Sequence, residues 1–268
     1  LADQYPGWMT PIFHTQNQGI APTRNDALRA VTGEFVTYLD GDDRYLPNKL
    51  ETEAQTLAKH PTAQIAYSDY YIIDAKGQRI DRWATYPPPQ GDIFLETFGR
   101  KFPRGRLFRD ELVRYDAWQN IGFYDETLRV YEDYDARIRL SHTCHAAYTG
   151  KPLTEHRRLE AGLSKLDGQI YLDTFDHILH KNEPLLGNQT PQARNMLEHN
   201  WQRWRAALWR RKGRQALAQT PPDRKTALRA YRTSLQYHKS IDVLFWLEFI
   251  LSPTYYSRLK RWWYLLKM

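Results

Sequence analysis

Three carboxylates stand almost shoulder to shoulder at Asp40, Asp42 and Asp43, with Gly41 between the first two. Acids this close repel one another unless a cation sits among them. Hard oxygen donors of this kind suit Mg²⁺ or Mn²⁺, cations that also grip phosphates. A second acidic pair opens the stretch Glu132-Asp-Tyr-Asp-Ala-Arg-Ile-Arg-Leu140. A carboxylate there can accept a proton from a hydroxyl group, provided the fold brings it near Asp42. Both groups have a plainer reading. Asp-Gly is a common turn pair, and acids in a first helical turn are favoured by the helix dipole. Thr23, Arg24 and Asn25 fall in the first turn of an expected helix, where a phosphate could be seated, or where an arginine is simply solvated. Arg100, Arg104, Arg106 and Arg109 crowd a basic loop, whose default is also a solvated face. His142-Thr-Cys-His145 lacks the spacing and the second ligand pair of a structural zinc site.

The elements that must position these residues follow from pattern. Phe35, Val36, Tyr38 and Leu39 form a β-branched and aromatic run that predicts a strand, stopped by Asp40. Met9 to Thr15 reads as another strand. Pro22 suits the first turn of a helix carrying Ala27, Leu28 and Val31 and ending at Gly33. Pro47 opens a helix with Leu50, Ala54 and Leu57 on one face. Ile65 to Ile73 reads as a strand, turned by Asp74-Ala-Lys-Gly77. Ile93 to Phe98 predicts a short helix, and Ala136, Ile138 and Leu140 belong to a helix begun by the second acidic pair. Leu1 to Tyr5 reads as the last turn of a helix. Strands alternating with helices imply an α/β sheet with parallel pairs, which binds ligands at the carboxyl ends of its strands.

The 268 residues suffice for one large domain, or for one domain with a smaller companion. A hydrophobic content of 41% beside 26% charged residues is that of a globular protein. The one cysteine, Cys144, excludes an internal disulfide and points to a reducing compartment. The net charge of +7 is uneven. From Arg194 onward there are 16 basic and 4 acidic residues, against 22 and 27 before it. Six of the nine tryptophans lie in that basic tail, which is helical from Gln192, with a second helix from Lys225 to His238. Ile241 to Leu251 is apolar but far short of the roughly 20 residues that span a bilayer. Tyr255 to Met268 interleaves Arg258, Lys260, Arg261 and Lys267 with aromatics, a composition suited to an anionic membrane surface or to packing on the body. Nucleic acid is not expected as a partner, because no recognition motif is present and the acidic body would repel phosphate backbones. P-loop, GxSxG and GxGxxG motifs are absent.

Three stretches together resemble the family 2 glycosyltransferases, inverting enzymes with the GT-A fold. Asn17-Gln-Gly-Ile-Ala-Pro-Thr-Arg-Asn25 leads to Gly33-Glu-Phe-Val-Thr-Tyr-Leu-Asp-Gly-Asp-Asp43 and Pro47-Asn-Lys-Leu50, like the family's N-x-G-x-x-x-x-R-N helix and DxD strand. Gly122-Phe-Tyr-Asp125 through Glu132-Asp133 is similar to its G-F-D-E … E-D segment, and His156-Arg-Arg158 with Ser164 to the basic stretch beyond. The resemblance implies a GT-A (nucleotide-diphospho-sugar transferase-like) mixed sheet flanked by helices over residues 1–165, with residues 166–268 as a basic, Trp-rich helical extension. It implies transfer of a sugar from a nucleotide-sugar donor, a UDP-sugar foremost, to a hydroxyl on a glycan or lipid-linked acceptor, in the cytoplasm or peripherally on the inner face of the membrane. Asp40 and Asp42 would hold Mg²⁺ or Mn²⁺ and the diphosphate, with Asp43 in support. Asp133 would be the general base, with Glu132 beside it. Thr23, Arg24 and Asn25 would line the donor site, and Arg157 would contact the diphosphate. The strand–helix–strand unit with which family members begin has no counterpart here, so an incomplete sequence is expected. Two other readings stand: a fragmentary, inactive domain serving as an interaction module, and a metal-dependent nucleotidyl or phosphoryl transferase using the same acids.

Overall fold

The computed structural model describes residue 4 and residues 7–84, 86–102, 106–159 and 166–239. The expectations for Leu1 to Tyr5, for Ser164 and for the apolar and aromatic segments after residue 240 lie outside the described residues. The chain divides into two compact units, one of Leu1–Glu160 with Lys181–Gly187, the other of Ala161–His180 with Asn188–Met268.

The first unit is built on a mixed sheet. In chain order its elements are α1 (Ile20–Arg29), β1 (Phe35–Val36), β2 (Arg44–Tyr45), α2 (Lys49–Lys59), β3 (Ala63–Ile73), β4 (Arg79–Trp83), α3 (Phe94–Phe98), β5 (Leu112–Arg114), α4 (Tyr115–Ile121), α5 (Glu132–Thr143) and β6 (His145–Arg157). The strands run in the order β1-β5-β3-β6-β2, and β4 pairs with β3 off that path. β3 and β6 are parallel, with Ile72 opposite His156 and Ile73 opposite Arg157. The other pairings are antiparallel. β3 is buried along nearly its whole length, as a central strand covered on both faces must be. One core cluster joins Leu57 of α2 to Ala63, Ala66, Leu112 and Ala147 of the sheet. An aromatic cluster packs elsewhere on β3, where Tyr70 stacks on Trp83 at 5.1 Å and Tyr67 meets Phe108 at 4.9 Å.

Several expectations are corrected. The strand before Asp40 pairs only through Phe35 and Val36. Beyond them side chains replace the ladder: Thr37 Oγ1 donates to Asp110 O at 3.0 Å and Tyr45 Oη donates to Tyr38 O at 2.6 Å. Met9 to Thr15 forms no strand, and His14 ties it to α1 by a 2.9 Å contact with Asp26. α1 begins two residues before Pro22 and stops at Arg29, burying Ala21, Asn25 and Leu28, one helical stripe. α2 begins after Asn48, held at φ 65°, and buries Lys49, Glu53 and Leu57 rather than Leu50. Its apolar periodicity is misleading because an ion pair sits in the core. Lys49 Nζ meets Glu53 Oε2 at 2.5 Å and also donates to Asp110 O at 2.7 Å, while Ser68 donates to Glu53 at 2.9 Å. Leu50 instead lines a shallow apolar groove with Val31, Phe35, Val36 and Ala54.

The second unit is helical. α6 (Gly168–Asn182) starts in it, and α7 (Pro191–Leu217) and α8 (Arg224–Tyr237) form an antiparallel hairpin. Thr190 and Asp223 cap the two helices by accepting from Ala193 N and Thr226 N. Gly213 lets them touch, since a Cβ there would lie 2.7 Å from the Tyr231 ring. Among the described residues no helix is long and apolar enough to cross a membrane.

Candidate active site

The two acidic groups meet through one arginine. Arg24, in the second turn of α1 because the helix starts earlier than expected, donates to Asp40 Oδ1 and to Glu132 Oε1, each at 3.0 Å. Its guanidinium is fixed by lying over the Tyr38 ring at 4.5 Å and near Tyr124 at 5.6 Å. The turn that ends the β1 segment and the start of α5 are therefore neighbours, although 92 residues separate Asp40 from Glu132.

Asp40 lies under two cations, with Arg109 Nη2 3.4 Å from its Oδ2. Asp42 sits exposed on the turn, held by its backbone carbonyl, and its carboxylate has no hydrogen-bond partner among the described residues. Asp43 is different. Arg157 N donates to its Oδ1 at 2.7 Å, and His156 Nδ1 lies 2.6 Å from its Oδ2. On the other side His156 Nε2 is 2.9 Å from Asp110 Oδ2. The pairing of Arg44 with Glu155 across β2 and β6 brings this strut together. Burial opposes charge on His156, but the two carboxylates raise its pKa above the ordinary value. Asp43 is lowered, His156 and the Arg157 amide outweighing its burial.

Asp133 and Glu132 divide their roles by environment. The Asp133 side chain is 38% exposed, that of Glu132 only 8%. Arg137, 2% exposed, donates to Asp133 Oδ2 at 2.6 Å. The same guanidinium grips Glu111 through Nε at 2.8 Å and Nη2 at 3.0 Å, and bonds Tyr38 Oη. Burial and the adjacent Asp133 charge push Glu132 up despite Arg24. Against burial, Arg137, Arg24 and Arg109 hold Asp133 well below the usual carboxylate range. Of this coupled pair Glu132 is therefore the more basic carboxylate and Asp133 the more readily ionised one. The backbone is constrained around this point: Asp110, Phe123 and Tyr131 take φ of 54°, 65° and 61°, values that cluster at working sites.

Three expected donor-site residues have other work. Thr23 is exposed and its hydroxyl donates to Gly19 O at 2.7 Å. Asn25 is buried, exchanging hydrogen bonds with the Tyr124 backbone at 2.9 Å in both directions. It latches α1 to the Gly122–Asp125 turn that leads into α5. Arg157 donates to the carbonyls of Asp42, Asp74 and Ala75 at 2.9, 3.0 and 3.1 Å, clamping the acidic turn to the β3–β4 hairpin. Glu111, Asp110 and Arg137 carried no sequence signal of their own, since their meaning lies in contacts across the sheet. Asp135, an acid of the first α5 turn, is fully buried and accepts from Arg139, Lys181 and Asn182. It anchors the return segment rather than the site.

Among the described residues no three His, Cys, Asp or Glu side chains converge into a metal cage. Mg²⁺ is commonly held by one or two carboxylates together with substrate phosphates and water. The free carboxylate of Asp42 matches that donor set; Asp40, held by Arg24 and more loosely by Arg109, and Asp43, held by His156 and the Arg157 amide, would each have to give up a partner to join it.

The model of the family described as Glycosyl transferase family 2 matches residues 2–131. Residues 2–131, just under half of the chain, are thus similar to that family. The match ends one residue before Glu132, so the acidic pair of α5 joins the matched segment by geometry. Over 133 residues the chain is 33% identical to a cholesterol galactosyltransferase of Borreliella burgdorferi, covering 42% of this chain and 37% of that protein. Over 182 residues it is 30% identical to the succinoglycan biosynthesis protein ExoU of Rhizobium meliloti, covering 59% and 52%. The chain spans about a third of the length of other curated glycosyltransferases it matches, 31% and 39% in two of them. A crystal structure of S. aureus TarS 1–349 in complex with UDP-GlcNAc superposes with a TM-score of 0.51 at 14% identity, over 85% of this chain and 64% of that one. The fold of this chain is accordingly GT-A, a mixed sheet flanked by helices with a helical C-terminal part.

Proposed function

We propose that the protein transfers a sugar, with inversion, from a nucleotide-sugar donor to a hydroxyl of a glycan or lipid-linked acceptor. The observation that carries this reading is Arg24, which bonds Asp40 and Glu132 at 3.0 Å each and so draws together the acidic turn and the acidic start of α5, where Asp133 also lies. The family match over residues 2–131 and the likeness to a protein solved with UDP-GlcNAc support a nucleotide-sugar donor, UDP-linked first. Relatives named for cholesterol galactosylation and for succinoglycan biosynthesis support a lipid or glycan acceptor.

Asp42, assisted by Asp40, would hold Mg²⁺ or Mn²⁺, which supplies charge stabilisation to the departing diphosphate. Asp133 accepts the acceptor hydroxyl's proton on its exposed side, while Arg137 fixes the other oxygen. Glu132, buried against Arg24, keeps the first turn of α5 in register with Asp40. The basic tail, +12 from Arg194 onward, supports contact with an anionic membrane face. The deciding experiment is binding and hydrolysis of a panel of nucleotide sugars with and without Mn²⁺, comparing the chain with Asp42→Ala. Binding that needs both the cation and Asp42 is expected. Donor binding unchanged in Asp42→Ala would sink the reading.

A further inference from the structure

The basic loop before β5 holds one arginine whose capacity the fold leaves open. Arg137 and Arg157 are fully engaged by Glu111, Asp133, Tyr38 and three backbone carbonyls. Arg24 bridges two carboxylates and lies on two rings. Among the described residues Arg109 has a single hydrogen-bonding contact, Nη2 to Asp40 Oδ2 at 3.4 Å. That is long for a charge-assisted bond, which settles near 2.7–2.9 Å. Its Nε is buried and has no acceptor among the described residues. The side chain as a whole is nevertheless 39% exposed. Its charge acts on Asp133 and Asp43 as well as touching Asp40, which places it between the donor-side turn and the base.

A planar fork of five donors with one weak contact is built for a planar or tetrahedral oxyanion. We propose that Arg109 is a substrate-binding residue that takes phosphoryl oxygens of the donor's diphosphate, leaving Asp40 free to turn toward the cation. This rests on the nucleotide-sugar reading above. The competing explanation is a counter-ion that only neutralises the surrounding acids. The two differ in the ligand-bound state. A phosphoryl ligand gives Arg109 strong acceptors that Asp40 at 3.4 Å does not provide; a counter-ion gains nothing when ligand arrives.

The test is calorimetric titration of the full chain with Mn²⁺ and uridine diphosphate, using wild type, Arg109→Gln, Arg109→Lys, Arg106→Gln and Asp42→Ala, each with its thermal melt. Arg106 is exposed on the same loop and serves as the charge control. Arg109→Gln is expected to weaken binding about 10- to 100-fold, the worth of one or two hydrogen bonds between charged groups. Arg109→Lys should recover part of the loss, and Arg106→Gln should bind as wild type does. Binding lost in Asp42→Ala but unchanged in Arg109→Gln, with only the melt altered, overturns the proposal and leaves the donor site standing. Uridine diphosphate binding kept in Arg109→Gln while sugar transfer falls would move the anion to the acceptor and overturn it equally. Absence of binding by folded wild type would sink the donor reading and this inference with it.

Discussion

At the scale of residues, chemistry and support are divided among neighbours of the same type. Asp42 and Asp133 keep oxygens accessible, whereas Asp43 and Glu132, next to them in sequence, are held by His156 and Arg24. Asp133→Asn removes the proposed proton acceptor without changing size. Initial rates of transfer should fall about 10²- to 10⁴-fold, while uridine diphosphate titration and the melting temperature stay near wild type. Equal losses in rate and donor affinity would deny Asp133 the role of base. Arg137→Met leaves Glu111, 2% exposed, as an uncompensated buried charge. Denaturant unfolding should register a loss of about 3–5 kcal/mol, the usual cost of breaking a buried pair by removing one partner. A loss within experimental error would mean that the buried pair adds nothing to stability.

At the scale of elements, close approach decides what composition alone leaves open. The α7–α8 hairpin depends on Gly213, where an added Cβ would meet Tyr231 at 2.7 Å. Helix propensity favours alanine there by about 1 kcal/mol. Overpacking in a filled contact costs about 1–3 kcal/mol. Gly213→Ala should therefore lower the melting temperature of the helical unit, read by far-ultraviolet circular dichroism, and a rise would show that Tyr231 simply swings aside. Elements with a pure pattern were legible beforehand. The Ile65–Ile73 run, the Asp74–Gly77 turn and the helix carrying Ala136, Ile138 and Leu140 all stand in the structure. Others were not. β6 passes through Gly150, Lys151 and Pro152 and keeps no alternation, because it is exposed at its middle and buried toward its end. The β1 strand looked longer than it is, since Tyr38 has strand propensity but its carbonyl accepts from the Tyr45 side chain instead of a neighbouring strand.

At the scale of the whole molecule, pH acts through the strut under the acidic turn. His156 is raised above 6.5 and Asp43 lowered below 3.8 in the fold. The raised histidine stabilises fully below its unfolded value, and that contribution disappears as pH rises through its folded value. The lowered aspartate stabilises above 3.8 and loses its contribution as pH falls through its folded value. Melting temperature should be highest near about pH 5–6 and decline on the alkaline side above neutrality. His156→Gln should flatten that alkaline decline; an unchanged slope would place the titrating group elsewhere.

Composition and local motif, read without structure, determined the kind of protein this is. Carboxylates after an apolar run, a helix start with Arg24 and Asn25, and a second acidic pair limit the chemistry, because residue types at short spacing are local facts. Which of those residues face ligand and which hold the scaffold was a tertiary decision. Asp42 and Asp43 differ only in where β6 places His156, and Asn25 and Arg24 differ only in which side of α1 the Gly122–Asp125 turn covers. These are contacts between segments about 100 residues apart, whose distances no local pattern encodes.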